Sequence, residues 1–233
     1  MHVFFAEITN GQPVILSEEE SHHAVKALRL REGQQVVVTN GKGAWCQGIL
    51  VSCHAKGSLI SITETIQQSP RPFRLHLAAA PTKNIDRFEW LLEKVTECGI
   101  DEITPLICEK SERTVVKHER LEKLLVAAMK QSMRAYLPIL NPLVKFHEFL
   151  KRDFEGVKLV AHCRNSSRKS LSDVYHMGQN VTMIIGPEGD FSEAEVQKAL
   201  ERGFVPVSLG PHRLRTETAA LAACVQLNFM NGM

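Results

Sequence analysis

The 233-residue chain carries 28 Lys and Arg against 26 Asp and Glu, a net charge of +2, with 44% hydrophobic and 23% charged residues. That length suits one or two domains with true cores, and the composition excludes a disordered or fibrous protein. Near-neutral charge gives no whole-molecule field for nucleic acid, so any RNA contact has to be a local patch, and no apolar run approaches the ~20 residues of a membrane span.

Residues 1 to 70 read as short strands: Val3–Phe5, Pro13–Leu16, Gln35–Val38, Gly48–Val51 and Leu59–Ile62. This rhythm predicts a small β-barrel. Thr39-Asn40-Gly41-Lys42-Gly43 is a hairpin signal, since Asn-Gly adopts positive φ cheaply. The one helix expected here spans Ser21 to Leu30. The start of the chain lacks a basic region followed by an apolar core, so a cytoplasmic protein is expected.

Gln67-Gln68-Ser69-Pro70-Arg71-Pro72 marks a boundary, giving expected domains over 1–70 and 74–233. After it, short apolar runs alternate with helical patterns: Leu75–Ala78, Ile103–Leu106, Val157–Val160, Val181–Ile185 and Val205–Leu209. Such alternation predicts an α/β fold with a largely parallel sheet. Phe88, Leu91, Leu92 and Val95 form a helical stripe, with Asp86 and Glu89 as its capping box and Gly99 as its stop. Leu121, Leu124, Leu125 and Ala128 form a second stripe. A third helix is expected from Ser192 with Glu195 completing a capping box, and a fourth after Thr216 as N-cap. The six cysteines (Cys46, Cys53, Cys98, Cys108, Cys163, Cys224) lack zinc spacing and are expected to be free, mostly buried thiols.

Two loops carry the chemistry. Ile185-Gly186-Pro187-Glu188-Gly189-Asp190 joins a strand to a capped helix, where ligands bind in open α/β sheets and where glycines admit backbone contact. A plain tight turn has the same pattern, and neither Walker A nor Gly-x-Gly-x-x-Gly is present, which argues against a dinucleotide-binding dehydrogenase. Leu209-Gly210-Pro211-His212-Arg213-Leu214-Arg215 ends the next strand. The two strands are expected to be adjacent, so that the loops form opposite walls of one pocket. Arg213 and Arg215 at its mouth suit an anion or carboxylate, and the following helix start adds partial positive charge.

Gly186-Pro187-Glu188-Gly189 followed by Leu209-Gly210-x-x-x-Leu214-Arg215-x-Glu217-Thr218-Ala219 resembles the signature of the ribosomal RNA small subunit methyltransferase E family, in the SPOUT superfamily. Upstream, Pro81-x-Lys83-x-x-Asp86-Arg87-x-Glu89-Trp90, Lys94-x-x-Glu97-x-Gly99, Pro105-Leu106 and Gln131-Ser132-x-Arg134 follow in the family's order, and His23-x-x-Lys26-Ala27-Leu28-Arg29 is similar to its PUA-like domain. The chain departs at Lys110-Ser111, where the family has Arg-Ser, and at Ala27.

The resemblance implies an N-terminal PUA-like barrel and a C-terminal α/β domain tied in a deep trefoil knot. It implies S-adenosylmethionine held against Gly186, Pro187, Glu188, Gly189, Leu209, Gly210, Arg213 and Leu214, a homodimer, and methylation of N3 of a uridine in 16S rRNA of the 30S subunit, with no metal. N3 of uracil is protonated at neutral pH. Arg215 is therefore the candidate cation for the developing ring charge, and Glu217 or Glu188 the candidate proton acceptor. Either carboxylate serves equally well as a helix-start charge.

His23, Lys26, Arg29 and Arg31 are candidate RNA contacts, with Lys26 and Arg29 on one helical face, and Gln131 with Arg134 on another. A solvated face is the alternative. The remaining rivals are a SPOUT enzyme acting on a ribose 2′-hydroxyl and a non-catalytic PUA-type assembly factor. Lys83, Arg87 and Lys94 rank lower as contacts, because Glu89, Glu93 and Glu97 on the same helix are placed to neutralise them.

Overall fold

The computed structural model describes residues 1–9, 12–163 and 168–232. The chain forms two compact units, one made of Met1–Pro70 with Val126–Leu137 and the other of Arg71–Leu125 with Pro138–Met233.

In the first unit, strands β1 (Val3–Phe5), β2 (Val14–Ile15), β3 (Gln35–Thr39), β4 (Ala44–Ser52) and β5 (Leu59–Gln67) form one sheet in the order β1-β3-β4-β5-β2. Only the β1–β3 pair is parallel. Alternation along the strands places Phe4, Val36, Val38, Leu50 and Ile60 in one core. The β3–β4 turn forms as the sequence predicts, with Asn40 Oδ1 accepting the Lys42 and Ala44 amides at 2.8 and 3.2 Å.

The helix expected over Ser21–Leu30 starts earlier and ends earlier. Ser17 caps α1 (Glu18–His22) by accepting the Glu20 amide at 3.2 Å, and three acidic residues occupy the first turn. The helix then loosens into a π-helical turn, His23–Ala27, closed by the Leu28 amide on the His23 carbonyl at 2.9 Å. Arg29 follows in the left-handed region at φ 53°, so Lys26 and Arg29 do not share a helical face. At the other end of this unit, the Lys130 ammonium pairs with the buried Glu20 carboxylate, and Tyr136 donates to the Gln68 carbonyl at 2.7 Å.

The second unit runs β6 (Leu75–Ala79), α2 (Ile85–Cys98), β7 (Glu102–Ile107), α3 (His118–Gln131, whose last turns belong to the first unit), β8 (Ile139–Leu140), β9 (Val144–Lys145) and α4 (Phe146–Phe149). It continues with β10 (Val157–Ala161), β11 (Lys169–Ser170), β12 (Val181–Ile185), α5 (Glu193–Glu201), β13 (Val205–Ser208) and α6 (Thr216–Met230). The sheet is parallel throughout, in the order β11-β13-β10-β12-β6-β7-β8, with β9 also paired to β7. Each apolar run read as a strand is one, and those buried on both faces read as continuous rather than alternating. Ala78, Leu106 and Ile184 of the sheet share a core with Phe149 and Phe191, and burying each large side chain is worth roughly 1.5–3 kcal/mol.

The helix ends are defined by their caps. Gly99, at φ 98°, stops α2 and donates to the Val95 carbonyl at 3.0 Å. At the other end Asn84 is the N-cap, accepting the Asp86 amide at 3.0 Å, and the expected Asp86–Glu89 capping box does not form. Glu89 is turned instead to the Arg120 guanidinium, which grips it at 2.6 and 2.8 Å. The Ser192–Glu195 box on α5 does form. Helix α6 starts one residue before the expected point: Arg215 occupies the N-cap position without a side-chain cap bond, and Thr216 is already helical. All six cysteines are thiols outside any disulfide, but only Cys46, Cys108 and Cys224 are buried, while Cys163 is exposed.

Candidate active site

Because β10, β12 and β13 are parallel, their carboxyl ends share one edge of the sheet, and a cavity of about 410 Å³ opens there. Its walls are the loops after β12 and β13, the two glycine–proline segments singled out in the sequence. The strands are not adjacent, however. Strand β10 lies between them, so Ala161–Cys163 also line the cavity. Sequence order alone carried no signal for that insertion.

The first loop is fixed by close packing. A Cβ on Gly186 would lie 3.1 Å from the Phe191 ring, and Phe191 is fully buried, so only glycine fits without moving the core. Asp190, at φ 60°, holds the turn by accepting the Phe191 amide at 2.9 Å and the Cys163 amide at 3.0 Å. Glu188 lines the cavity with its Oε1 accepting the Lys83 amide at 2.9 Å. Gly189 lies against Lys110, whose ammonium donates to the Gly189 carbonyl at 3.0 Å. Lys110 thus provides a backing contact for this loop, and Gly189 is absent from the cavity lining.

The second loop supplies Leu209, Gly210, Arg213 and Leu214 to the lining. Gln226 of α6 donates to the Leu209 carbonyl at 3.2 Å, and Arg213 Nη2 donates weakly to the Glu188 carbonyl at 3.4 Å. The Thr216 hydroxyl donates to the Gly186 carbonyl at 3.1 Å, joining the two walls.

Arg215, at the N-cap of α6, and Glu217, in its first turn, both line the cavity. Arg215 is exposed, whereas Glu217 is 7% exposed. Among the described residues, the buried Glu217 Oε2 has no hydrogen-bond partner, and Oε1 lies 4.0 Å from Arg87 Nε. A buried carboxylate oxygen without a donor is costly unless a ligand completes it.

Sequence reasoning undervalued Arg87. The three glutamates of its own helix are engaged elsewhere: Glu89 by Arg120, and Glu93 and Glu97 by Lys94 at 2.7 and 2.8 Å. Among the described residues, the ion pair formed by Arg87 is the long one to Glu217, and its side chain lines the cavity. Spacing along α2 showed which carboxylates were within reach, but not which cations would take them.

The candidate RNA residues all fall in the first unit. His23, Lys26, Arg29, Arg31 and Gln131 are exposed, and Arg134 is half-buried. Gln131 ends α3, and Met133 follows at φ 55°, so Gln131 and Arg134 do not share a helical face either. Among the described residues, no helix is long and apolar enough to cross a membrane, and no group of three or more His, Cys, Asp or Glu is placed to hold a metal ion.

Residues 69–228 match the family described as RNA methyltransferase domain, and residues 16–62 match the RNA methyltransferase PUA domain. Ribosomal RNA small subunit methyltransferase E of Bacillus subtilis (strain 168) is 30% identical, with the match covering 98% of this chain and 96% of that protein. The chain belongs to the ribosomal RNA small subunit methyltransferase E family. A crystal structure of this family from Neisseria gonorrhoeae, bound to S-adenosyl methionine, is 28% identical and covers 98% of this chain and 97% of that one, with a TM-score of 0.87. A structure from Porphyromonas gingivalis is 37% identical over 100% of this chain and 99% of that one, with a TM-score of 0.91. The α/β fold with a PUA-like first unit is borne out by these members of the family.

Proposed function

We propose that this chain transfers the methyl group of S-adenosylmethionine to N3 of a uridine in 16S rRNA. The observation that carries the reading is the buried, unpartnered Glu217 oxygen in a cavity walled by the two family loops. The cavity fits the methyl donor: about 410 Å³ lies within the roughly 300–1,000 Å³ of small-molecule sites, and apolar Ile185, Leu209 and Leu214 alternate with the backbone of Gly186 and Gly210. Gly186, Pro187, Glu188, Leu209, Gly210, Arg213 and Leu214 would hold it, with Gly189 supporting the loop from behind.

When bound, S-adenosylmethionine supplies an electrophilic methyl on a cationic sulfur, which keeps the bonding pair as the methyl leaves. Glu217 takes the N3 proton, so that the N3 lone pair forms the new N–CH3 bond, and later releases that proton to water. Arg215 faces the negative charge that develops on the ring oxygens; one such donor is worth about 3 kcal/mol in comparable sites. Glu188, with an oxygen committed to the Lys83 amide, holds the loop in place.

The exposed His23, Lys26, Arg29, Arg31 and Gln131, with Arg134, track phosphates and orient the RNA without reading sequence. The enzyme is cytoplasmic, acts on the 30S subunit and works as a homodimer. Support for the dimer comes from α6, where Leu221, Val225 and Phe229 recur at i, i+4, i+8 and Phe229 is 73% exposed. The chain is tied in a trefoil knot: after β13, beyond β10, it returns to Gly186 before α6 packs on α2 and β6, a path that supports threading.

The test is transfer of labelled methyl to unmodified 30S subunits followed by nucleoside analysis, with Arg215→Ala and Glu217→Gln alongside. Label in N3-methyluridine, lost in both variants, is the expected result. Label on a ribose or another base redirects the assignment, and failure to bind S-adenosylmethionine rules out the enzyme.

A further inference from the structure

We propose that Arg87, Glu217 and Arg215 together read the base edge of the target, as donor, acceptor and donor, and so select uracil. The inference rests on the uridine-N3 reading above and extends it to Arg87 and to the choice of base.

The Watson–Crick edge of uracil presents a carbonyl, the N3 proton and a second carbonyl, which is acceptor, donor, acceptor. Cytosine presents an amino donor in place of one carbonyl and a bare N3. The complement of uracil is therefore a carboxylate flanked by two cations. An enzyme acting at N3 has to take the base out of its stack and meet this edge with side chains. The cavity holds that set. Glu217 offers a buried oxygen lacking a donor among the described residues, Arg215 stands two residues before it at the head of α6, and Arg87 approaches from α2.

The separation between Arg87 and Glu217 fits this role. At 4.0 Å they lie beyond hydrogen-bond range, so the guanidinium keeps its donors while standing beside the carboxylate. Burial is graded in the same sense, the Glu217 side chain being 9% exposed and that of Arg87 45% exposed. Glu89, Glu93 and Glu97 of α2 do not compete for Arg87, because Arg120 and Lys94 hold them. An arginine that served only to neutralise Glu217 would close on it.

The experiment uses the full-length enzyme and 30S subunits carrying uridine, 2-thiouridine or 4-thiouridine at the target position, and measures single-turnover rates. Sulfur is a poor acceptor, so each thio substitution weakens one contact, and comparison within a cycle of variants cancels its intrinsic effect on N3. Arg87→Ala is expected to slow the uridine reaction by about 10²-fold, on the scale of one lost donor to a reacting group. It is also expected to remove the rate penalty of one thio substitution, as Arg215→Ala removes that of the other. S-adenosylmethionine affinity stays within twofold of wild type, and Arg87→Lys recovers part of the rate. If Arg87→Ala retains both penalties in full, or reacts at the wild-type rate, the edge-reading role is wrong. If Arg87→Ala does not fold, Arg87→Gln is judged by the same penalties. A wild-type enzyme that makes no N3-methyluridine would instead overturn the reading on which this one rests.

Discussion

The hydroxyl of Thr216 and the carbonyl of Gly186 are 30 residues apart in sequence and 3.1 Å apart in the fold, and their bond joins the two walls of the cavity. Thr216 is buried, so replacing it with the isosteric valine leaves the carbonyl without this donor, at a cost of about 1–3 kcal/mol. The wall between the loops should then splay. Thr216→Val is expected to lower the melting temperature and to weaken S-adenosylmethionine binding about tenfold by calorimetry, with the single-turnover rate at saturation changed much less. A variant that loses stability while binding normally would confine the bond to the fold.

Glu188 and Glu217 began as equal candidates for the proton acceptor, and their surroundings separate them. Glu188 accepts a backbone amide, a contact that the carbonyl of glutamine can also make, whereas Glu217 has an oxygen with no partner among the described residues. Glu188→Gln is expected to retain its rate within about threefold, while Glu217→Gln loses the 10²–10⁴ typical of a general base. Stopped-time assays at saturating cofactor check both, and the opposite ranking would move the proton transfer to Glu188.

Most of the fold was legible because it is written in local patterns. The apolar runs became strands, Gly99 stopped α2, and Ser192 with Glu195 capped α5. What escaped depends on tertiary choices. Strands β8, β9 and β11 are each two residues long, too short for any periodicity to register. Position 27 reads as an ordinary helix interior, yet the chain leaves the helix there because the Leu28 and Leu30 amides wrap back to His23 and Ala24. In the site, the loop motifs were visible but the place of β10 between them was not, and Arg87 looked neutralised until the fold brought Arg120 to Glu89.

His76 makes a prediction far from the cavity. Its ring, 7% exposed, shares a 2.8 Å hydrogen bond with Thr104 Oγ1 and packs edge-on to Phe149. Burial lowers its pKa from 6.5 to about 4, outweighing the opposing pull of Glu102, with Arg74 and Arg152 adding to the fall. The unfolded chain therefore binds this proton more readily than the native one. The contribution of neutral His76 is complete above about pH 6.5 and is lost as pH falls toward 4, an effect of about 3 kcal/mol. Denaturant unfolding of wild type and His76→Gln between pH 4 and 8 tests it. The stability difference between them should be flat above pH 6.5 and shrink below it, and a difference independent of pH would show that His76 does not titrate as its burial requires.

Arg29 offers a way to separate strain from function on the proposed RNA surface. It sits at φ 53°, where a residue with a Cβ is disfavoured by roughly 1–2 kcal/mol and glycine is not, yet the chain carries an exposed arginine there. Strain retained at an exposed position is expected where the side chain does something else. Arg29→Gly should thus keep its stability or gain up to about 1 kcal/mol, the relief being partly offset by the added freedom of the unfolded chain. If the guanidinium contacts a phosphate, the same variant binds 16S rRNA more weakly, and the slope of log affinity against log salt falls by about 0.7–0.9, the counterion release of one phosphate. Lys26→Ala and Arg31→Ala should each lower the slope by a similar amount without the gain in stability. Filter binding across a salt series, together with denaturant unfolding, reads both quantities. A stabilised Arg29→Gly with an unchanged salt slope would make Arg29 a solvated residue and move the RNA path elsewhere on the first unit.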